Sequence, residues 1–392
     1  MKIKSLLFIM LVGLLYSPVA FSQDEATEEE EKTFTISGSV DTYFHSSFGT
    51  YIPLFDDDGI IGKQYGHGTS FAQQKGFGLG MVNLIASYAG PKVGFTADLV
   101  FGPRGYDAVF ADLYTNQRII NQMFAYLKLS DAVTLNLGQF NTFVGYEVIS
   151  PAVNFHYSTS YMFSWGPFNH TGLRADFDFG GGLVGKLAIM NPTDLVEFNP
   201  VNTYTFGAQI GKTGDTGGVW LNFLYGDQDG TLDEDDILLA PDTESQGSTF
   251  QVDLTGGWNL SETFYLGING TYRTVATGEY YDGGDISDLD GDASGFMGIA
   301  IYPKLALSET FGLGLRAEYF KVTNGYIAPF GLDDEGDGDV IDLTLSGNIK
   351  TGSLTIIPEL RVDMASEDSY GDSNNEATDM MPSFTLAAVY KF

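Results

Sequence analysis

Four arginines, Arg174, Arg273, Arg316 and Arg361, occupy positions of polar parity in segments whose apolar residues recur at every second place. Asp41, Asp98, Asp176, Asp253, Glu318, Glu359 and Asp363 share that parity, and Lys92, Lys128 and Lys391 fit it. A charge buried in lipid near a bilayer midplane costs up to ~2–4 kcal/mol, so charges confined to one parity imply that the other faces something apolar. Interior arginines facing acids allow two readings. One is a structural ladder of paired charges. The other is a transverse field across a narrow aqueous passage, which orients dipolar solutes and biases ion passage. The acid set against this arginine wall is Glu147, which stands almost alone in an otherwise uncharged aromatic stretch. Glu147, Arg174, Arg273, Arg316 and Arg361 are therefore the candidate pore-lining and constriction residues.

Catalytic chemistry is poorly provided for. There is no Cys, which removes disulfides, thiolate nucleophiles and zinc-thiolate sites. The four histidines are His45, His67, His156 and His170, with no Gly-x-Ser-x-Gly elbow and no His-Glu-x-x-His helix to recruit them. No catalytic residue and no metal ligand set is assigned, and the chain reads as a non-enzyme. With 51 acidic residues against 19 basic ones the protein is too acidic to bind nucleic acid.

The elements that must position these side chains are strands. The chain closes Phe384-Thr-Leu386-Ala-Ala388-Val-Tyr390-Lys-Phe392, alternating to an aromatic last residue. Period two is the signature of a strand between two environments. The pattern recurs in sixteen windows: 33–47, 77–89, 91–103, 119–130, 132–141, 171–179, 183–190, 203–211, 218–226, 249–259, 263–275, 294–306, 310–322, 339–349, 353–364 and 382–392. Parity sends Phe34, Ile36, Val40 and Phe44 outward and Ser39, Asp41 and Tyr43 inward. The second and twelfth windows are ambiguous, because both of their faces are partly apolar.

Connections alternate long and short. The short ones carry turn chemistry, as in Gly90-Pro91, Ser130-Asp131 and Gly180-Gly181-Gly182. The long ones are 48–76, 104–118, 142–170, 191–202, 227–248, 276–293, 323–338 and 365–381. Lipid offers nothing to satisfy an open sheet edge, so the last strand must pair with the first. The expected fold is all-β: a single-chain antiparallel transmembrane β-barrel of about sixteen strands, with short periplasmic turns and long extracellular loops. A barrel this wide encloses an aqueous lumen. Tyr43, Phe44, Tyr88, Phe101, Tyr126, Phe140, Tyr225, Tyr272, Tyr390 and Phe392 lie near strand ends, where aromatic rings prefer the headgroup level.

Residues 1–22 read as a secretory signal, with Lys2 and Lys4 before an apolar run and Ala20-Phe21-Ser22 as a cleavage site. Residues 23–32 form an acidic tail, and 33–392 the barrel of the bacterial outer membrane. The tail is too short for the plug domain of a gated transporter.

Connection 142–170 is rich in Phe, Tyr and Trp. Left in the open these rings would be an adhesive liability, so the loop is expected to fold inward, hide them on the wall and narrow the channel. The runs Leu137-Gly-Gln-Phe140-Asn-Thr-Phe-Val-Gly145-Tyr-Glu147, Asn154-Phe-His156-Tyr157-Ser158 and Gly166-Pro-Phe-Asn-His170-Thr171-Gly172 resemble outer-membrane β-barrel porins of the OmpL-like, type 2 group. Where members often carry Arg two residues after the Tyr of the second run, this chain has Thr159. The resemblance implies a porin-like channel and names no solute.

The loops at 227–248, 276–293, 323–339 and 365–381 carry 24 acids between them. Asp227-x-Asp229-Gly and Asp290-Gly-Asp292 are fragments of calcium loops without the twelve-residue pattern, so at most loose Ca²⁺ binding is expected and no cofactor. The expected partners are outer-membrane lipid, small hydrophilic solutes and ions, with a homotrimer possible for a barrel of this size. The expected function is passive diffusion of such solutes. Its rival is a non-conducting adhesin or structural anchor working through the acidic loops.

Overall fold

A computed structural model describes residues 33–392 apart from 57–58, 111–118, 202, 231, 233–241 and 284. The expected signal (1–22) and acidic tail (23–32) lie outside the described residues. Sixteen antiparallel strands close one barrel. They are β1 Thr33–Ser46, β2 Gly76–Ala89, β3 Val93–Phe101, β4 Ile120–Lys128, β5 Val133–Asn141, β6 Asn169–Gly180, β7 Leu183–Met190 and β8 Thr205–Gly214. The second half is β9 Gly217–Gly226, β10 Thr249–Asn259, β11 Phe264–Val275, β12 Ser294–Ala306, β13 Phe311–Thr323, β14 Gly338–Thr351, β15 Leu354–Ala365 and β16 Met380–Lys391. Each strand pairs with its neighbours in sequence, and β1 closes on β16 with Asp41 opposite Val389. Phe392 exchanges two main-chain bonds with Gly38, of 2.9 and 3.0 Å, so the chain's last residue seals the seam.

The alternation is produced by two surroundings. Phe34, Ile36 and Val40 of β1 are exposed on the outside, while Ser39, Asp41, Tyr43 and His45 are buried inside. Three aromatics expected near the membrane interface, Tyr43, Tyr126 and Phe140, are instead buried on the inner face. The turn 180–182 needs glycine, since all three residues have positive φ (82°, 60° and 81°).

The two ambiguous windows have physical causes. In β2 the register against β1 slips between Val40 and Thr42. The extra residue moves the outward set from Phe77 and Leu79 to Val82 and Leu84, and turns Met81 inward. The Asp41 carboxylate accepts the Met81 N–H at 3.0 Å and thereby holds the bulge. In β12 the inward residues Phe296, Ala300 and Tyr302 are apolar because they pack against protein inside the barrel.

The long connections carry structure of their own: α1 (Pro103–Ala108), α2 (Tyr161–Ser164), hairpins at 52–64 and 370–378, and a three-stranded sheet from 243–244, 279–281 and 286–288.

Candidate functional site

Connection 142–170 enters the barrel and follows the wall from β8 round to β1. Tyr146 stacks on Tyr302 of β12 at 4.2 Å between centroids, its hydroxyl 3.1 Å from that of Tyr265. Phe155 lies over β13 at Gly314, where any side chain would collide with the ring, and its carbonyl accepts from Asn348 of β14 at 3.0 Å. The Tyr157 hydroxyl donates to Asp41 of β1 at 2.6 Å, and that of Tyr161 donates to Asp363 of β15 at 2.6 Å.

The attachment is ionic at its centre. Arg316 uses all five N–H groups: Nε on Asp342 (2.7 Å), Nη1 on Glu147 (3.0 Å) and the Ser158 carbonyl (2.8 Å), Nη2 on the hydroxyls of Ser158 (3.1 Å) and Thr344 (3.0 Å). Arg361 grips Asp363 through Nε (2.7 Å) and Nη2 (3.0 Å), and reaches the Thr159 carbonyl at 2.9 Å and the Thr69 hydroxyl at 3.2 Å. A fork of this kind suits guanidinium and no other side chain.

Acids outnumber arginines here, and the surplus is satisfied by loop backbone. Glu318 accepts the N–H groups of Tyr161 and Met162 at 2.8 Å each. Glu359 accepts those of Tyr157 (2.8 Å) and Ser158 (3.1 Å), and Glu147 that of Ser160 (2.7 Å). Buried carboxylates are tolerated only when so bonded. The wall's acids thus fix the path of the loop's main chain.

Two other loops complete the packing. On α1, Arg104 donates to the carbonyls of Ile149 (3.0 Å) and Tyr157 (3.3 Å), with its guanidinium 4.3 Å from the Phe71 ring centre. From loop 48–76, His67 lies between Asp363 (Nδ1, 2.7 Å) and the Ser383 hydroxyl (Nε2, 2.7 Å). That serine–histidine–aspartate line has the spacing of a hydrolytic triad. Ser383 is only 3% exposed and Asp363 already serves Arg361 and Tyr161, so here the line works as a strut between loop and wall. Burial lowers the pKa of His67; burial and then Arg316 lower that of His156 to about 3. Burial raises the Tyr157 and Tyr161 hydroxyls well above their ordinary value.

Of the five sequence-derived residues, Glu147, Arg316 and Arg361 come together. Arg316 and Arg361 are buried behind the loop in closed ion pairs, with no open water between Arg316 and Glu147. Arg174 and Arg273 stand apart. Arg174 pairs with Asp176 on its own strand at 2.8 Å, and Arg273 donates to Gln251 at 3.3 Å beside the Tyr326 ring. The wall from β2 to β11 carries a belt of amides and carboxylates. Asp98 accepts from Asn83, Asn121 and Gln122, and Asp253 accepts from Asn222 and Asn269. Parity gave the wall acids. Asp342 obeys the same rule and could have been found by it; Lys304, which donates to the Tyr146 hydroxyl at 2.9 Å, lies in the ambiguous twelfth window, and nothing in the sequence marks His67 or Arg104, which reach the site from loops.

Fold and site together define a porin-type channel of the bacterial outer membrane: a sixteen-stranded barrel whose third long loop is bound inside. The chain belongs to the family described as "Putative beta-barrel porin-2, OmpL-like", whose model matches residues 33–392. Outer-membrane expressed OmpT of Vibrio cholerae is similar in fold, with TM-score 0.55 at 11% identity over 94% of this chain and 100% of that one. The outer-membrane channel DcaP of Acinetobacter baumannii gives 0.55 at 12% over 94% and 99%. An anion-selective porin from Comamonas acidovorans gives 0.56 at 10% over 92% and 100%. No curated protein sequence matches significantly.

Proposed function

We propose that this porin passes small hydrophilic solutes and ions passively, without catalysis, through the opening that loop 142–170 leaves in the lumen. In this reading Glu147, Arg316 and Arg361 hold the constriction in place, while Arg174 and Arg273 line the wall beyond it. The observation that carries the reading is the docking of the loop by Arg316 and Arg361 together with Asp41, Glu147, Glu318, Asp342, Glu359 and Asp363, which fixes an aperture where an untethered loop would not. In the same reading the acidic loops draw divalent cations loosely, as diffuse counter-ions. A homotrimer fits an apolar furrow on the outer face of β5–β10, bordered by Leu173, Leu187, Phe206 and Phe250. It also fits the trimer form recorded for in-vitro folded OmpT of Vibrio cholerae.

The second reading, a non-conducting anchor or adhesin, draws on how completely the loops cover Arg316 and Tyr157, both 0% exposed. Single-channel recording in planar bilayers separates the two. Discrete open steps support the channel, and a correctly inserted barrel that stays silent overturns it.

A further inference from the structure

Above the loop clamp, on the extracellular side, lies a cavity of about 350 Å³. Its floor is the clamp itself. The Thr69 hydroxyl that borders it accepts from Arg361, the Ser70 carbonyl accepts from Thr159, and the Ser70 N–H donates to Ser164 at 2.9 Å. One wall is Trp165, whose indole N–H donates to the Gly68 carbonyl at 2.9 Å and so fixes the plane of the ring. Gln64 and Gln73 border it too, each spending an N–H on its own loop, on the carbonyls of His67 (3.3 Å) and Thr69 (2.7 Å). The opposite wall comes from loop 323–338 and presses on Gly68 so closely that a Cβ there would collide with the Pro329 carbonyl.

None of the eleven residues lining this cavity is charged. That is unusual in a chain of 51 acidic and 19 basic residues, and more so beside loops holding 24 of the acids. A guest of either sign would have to give up solvation there without a counter-charge, which is costly in a partly enclosed site. An ordered indole face beside amides and hydroxyls offers instead a flat apolar surface ringed by neutral donors and acceptors. The matching guest has a C–H-rich face and a rim of hydroxyls.

We infer that this cavity is an entry subsite for a neutral sugar ring of a mono- or oligosaccharide, taken up at the mouth before the constriction. The inference rests on the channel reading for its role in passage, but binding itself does not depend on conduction. Full-length protein in detergent is titrated calorimetrically with maltotriose, cellotriose and, as a charged control, trigalacturonate. The neutral sugars are expected to bind at least tenfold more tightly than the anion. Trp165→Leu should lose at least tenfold in sugar affinity, Trp165→Phe should stay within about threefold of wild type, and Gln64→Leu should lose severalfold. In bilayers the same neutral sugars should interrupt the open current from the loop side. Equal binding of neutral and charged sugars, no binding, or a Trp165→Leu protein that binds as wild type overturns the subsite. A conducting channel that ignores these sugars does so while sparing the channel, and a barrel that binds sugar yet never conducts sinks the channel alone.

Discussion

Arg316 and Glu147 lie 169 residues apart in the chain and meet at 3.0 Å inside the barrel, Arg316 fully buried and Glu147 nearly so. One belongs to the wall and the other to the loop, so their bond is a direct measure of whether the loop is docked. A buried pair contributes little against a hydrophobic replacement, but losing one partner strands the other and costs about 3–5 kcal/mol.

Arg316→Met should therefore loosen the loop while leaving the strand network whole. The expected result is a folded, heat-modifiable barrel with larger and noisier current steps, and faster proteolysis within 142–170. The double variant Arg316→Met/Glu147→Gln should recover part of the wild-type behaviour, since it removes a stranded charge. Current steps identical to wild type in the single variant would show that the clamp does not hold the aperture.

Deleting Pro151–Ser160 removes the segment that carries His156, Tyr157 and Ser158, and with it the bonds to Glu359 and Asp41. Conductance should rise by roughly a factor of two or more, because the lumen of a sixteen-stranded barrel is wide once its lining loop is gone. An unchanged conductance would assign the aperture to other loops.

Much of this architecture was legible in the residues because two solvents act on each strand. The outward period-two set was readable in β1, β13 and β15, where lipid meets one face and polar side chains the other. It failed where a third influence entered. The bulge at Met81 reverses parity halfway along β2, and the inward face of β12 is apolar because Tyr302 meets Tyr146 and Phe296 meets Phe320, not water. Alternation also named Arg316 and Arg361 as inward, yet could not show that a loop covers them. Covering depends on contacts such as Tyr157 with Glu359, 202 residues away, and local periodicity carries no such information.

Acid should release the loop. Burial, with Arg316 next in weight and Lys304 acting the same way, holds His156 at about 3 against the pull of Glu359. Burial lowers His67 although Asp363 opposes it, with Arg361 and Asp342 also acting. His156 is neutral while docked, and once released it would take a proton near its ordinary value of about 6.5. The docked-state pKa is the lower one, so docking is fully favoured above about pH 6.5 and loses stability as pH falls through that value. For His156 the loss is about 1.4 kcal/mol for each pH unit until the docked value is reached. Open-channel noise should grow between pH 6.5 and 4.5 in wild type and grow less in His156→Gln. Identical profiles in the two proteins would place the acid response elsewhere.

Selectivity tests which charges the permeating ion meets. Arg316 and Arg361 are matched by Asp342, Glu147 and Asp363 at contact distance, so they project little net field. The outer loops at 227–248, 276–293, 323–339 and 365–381 hold 24 acids and no Lys or Arg, and they stand at a wide mouth. Their reach is set by screening, with a Debye length of ~8 Å at physiological salt and ~30 Å at 0.01 M. Dilute salt should therefore show a weak cation preference in the reversal potential, shrinking as salt is raised. Changing Asp333, Asp334 and Glu335 to their amides should reduce that preference at low salt and leave high-salt conductance nearly unchanged. Arg316→Gln with Arg361→Gln should shift the channel further toward cations, since it uncovers the acids those arginines now neutralise. Anion preference of the wild type in dilute salt would mean that the loops do not govern entry and that cations deeper in the wall, Arg273 first among them, do.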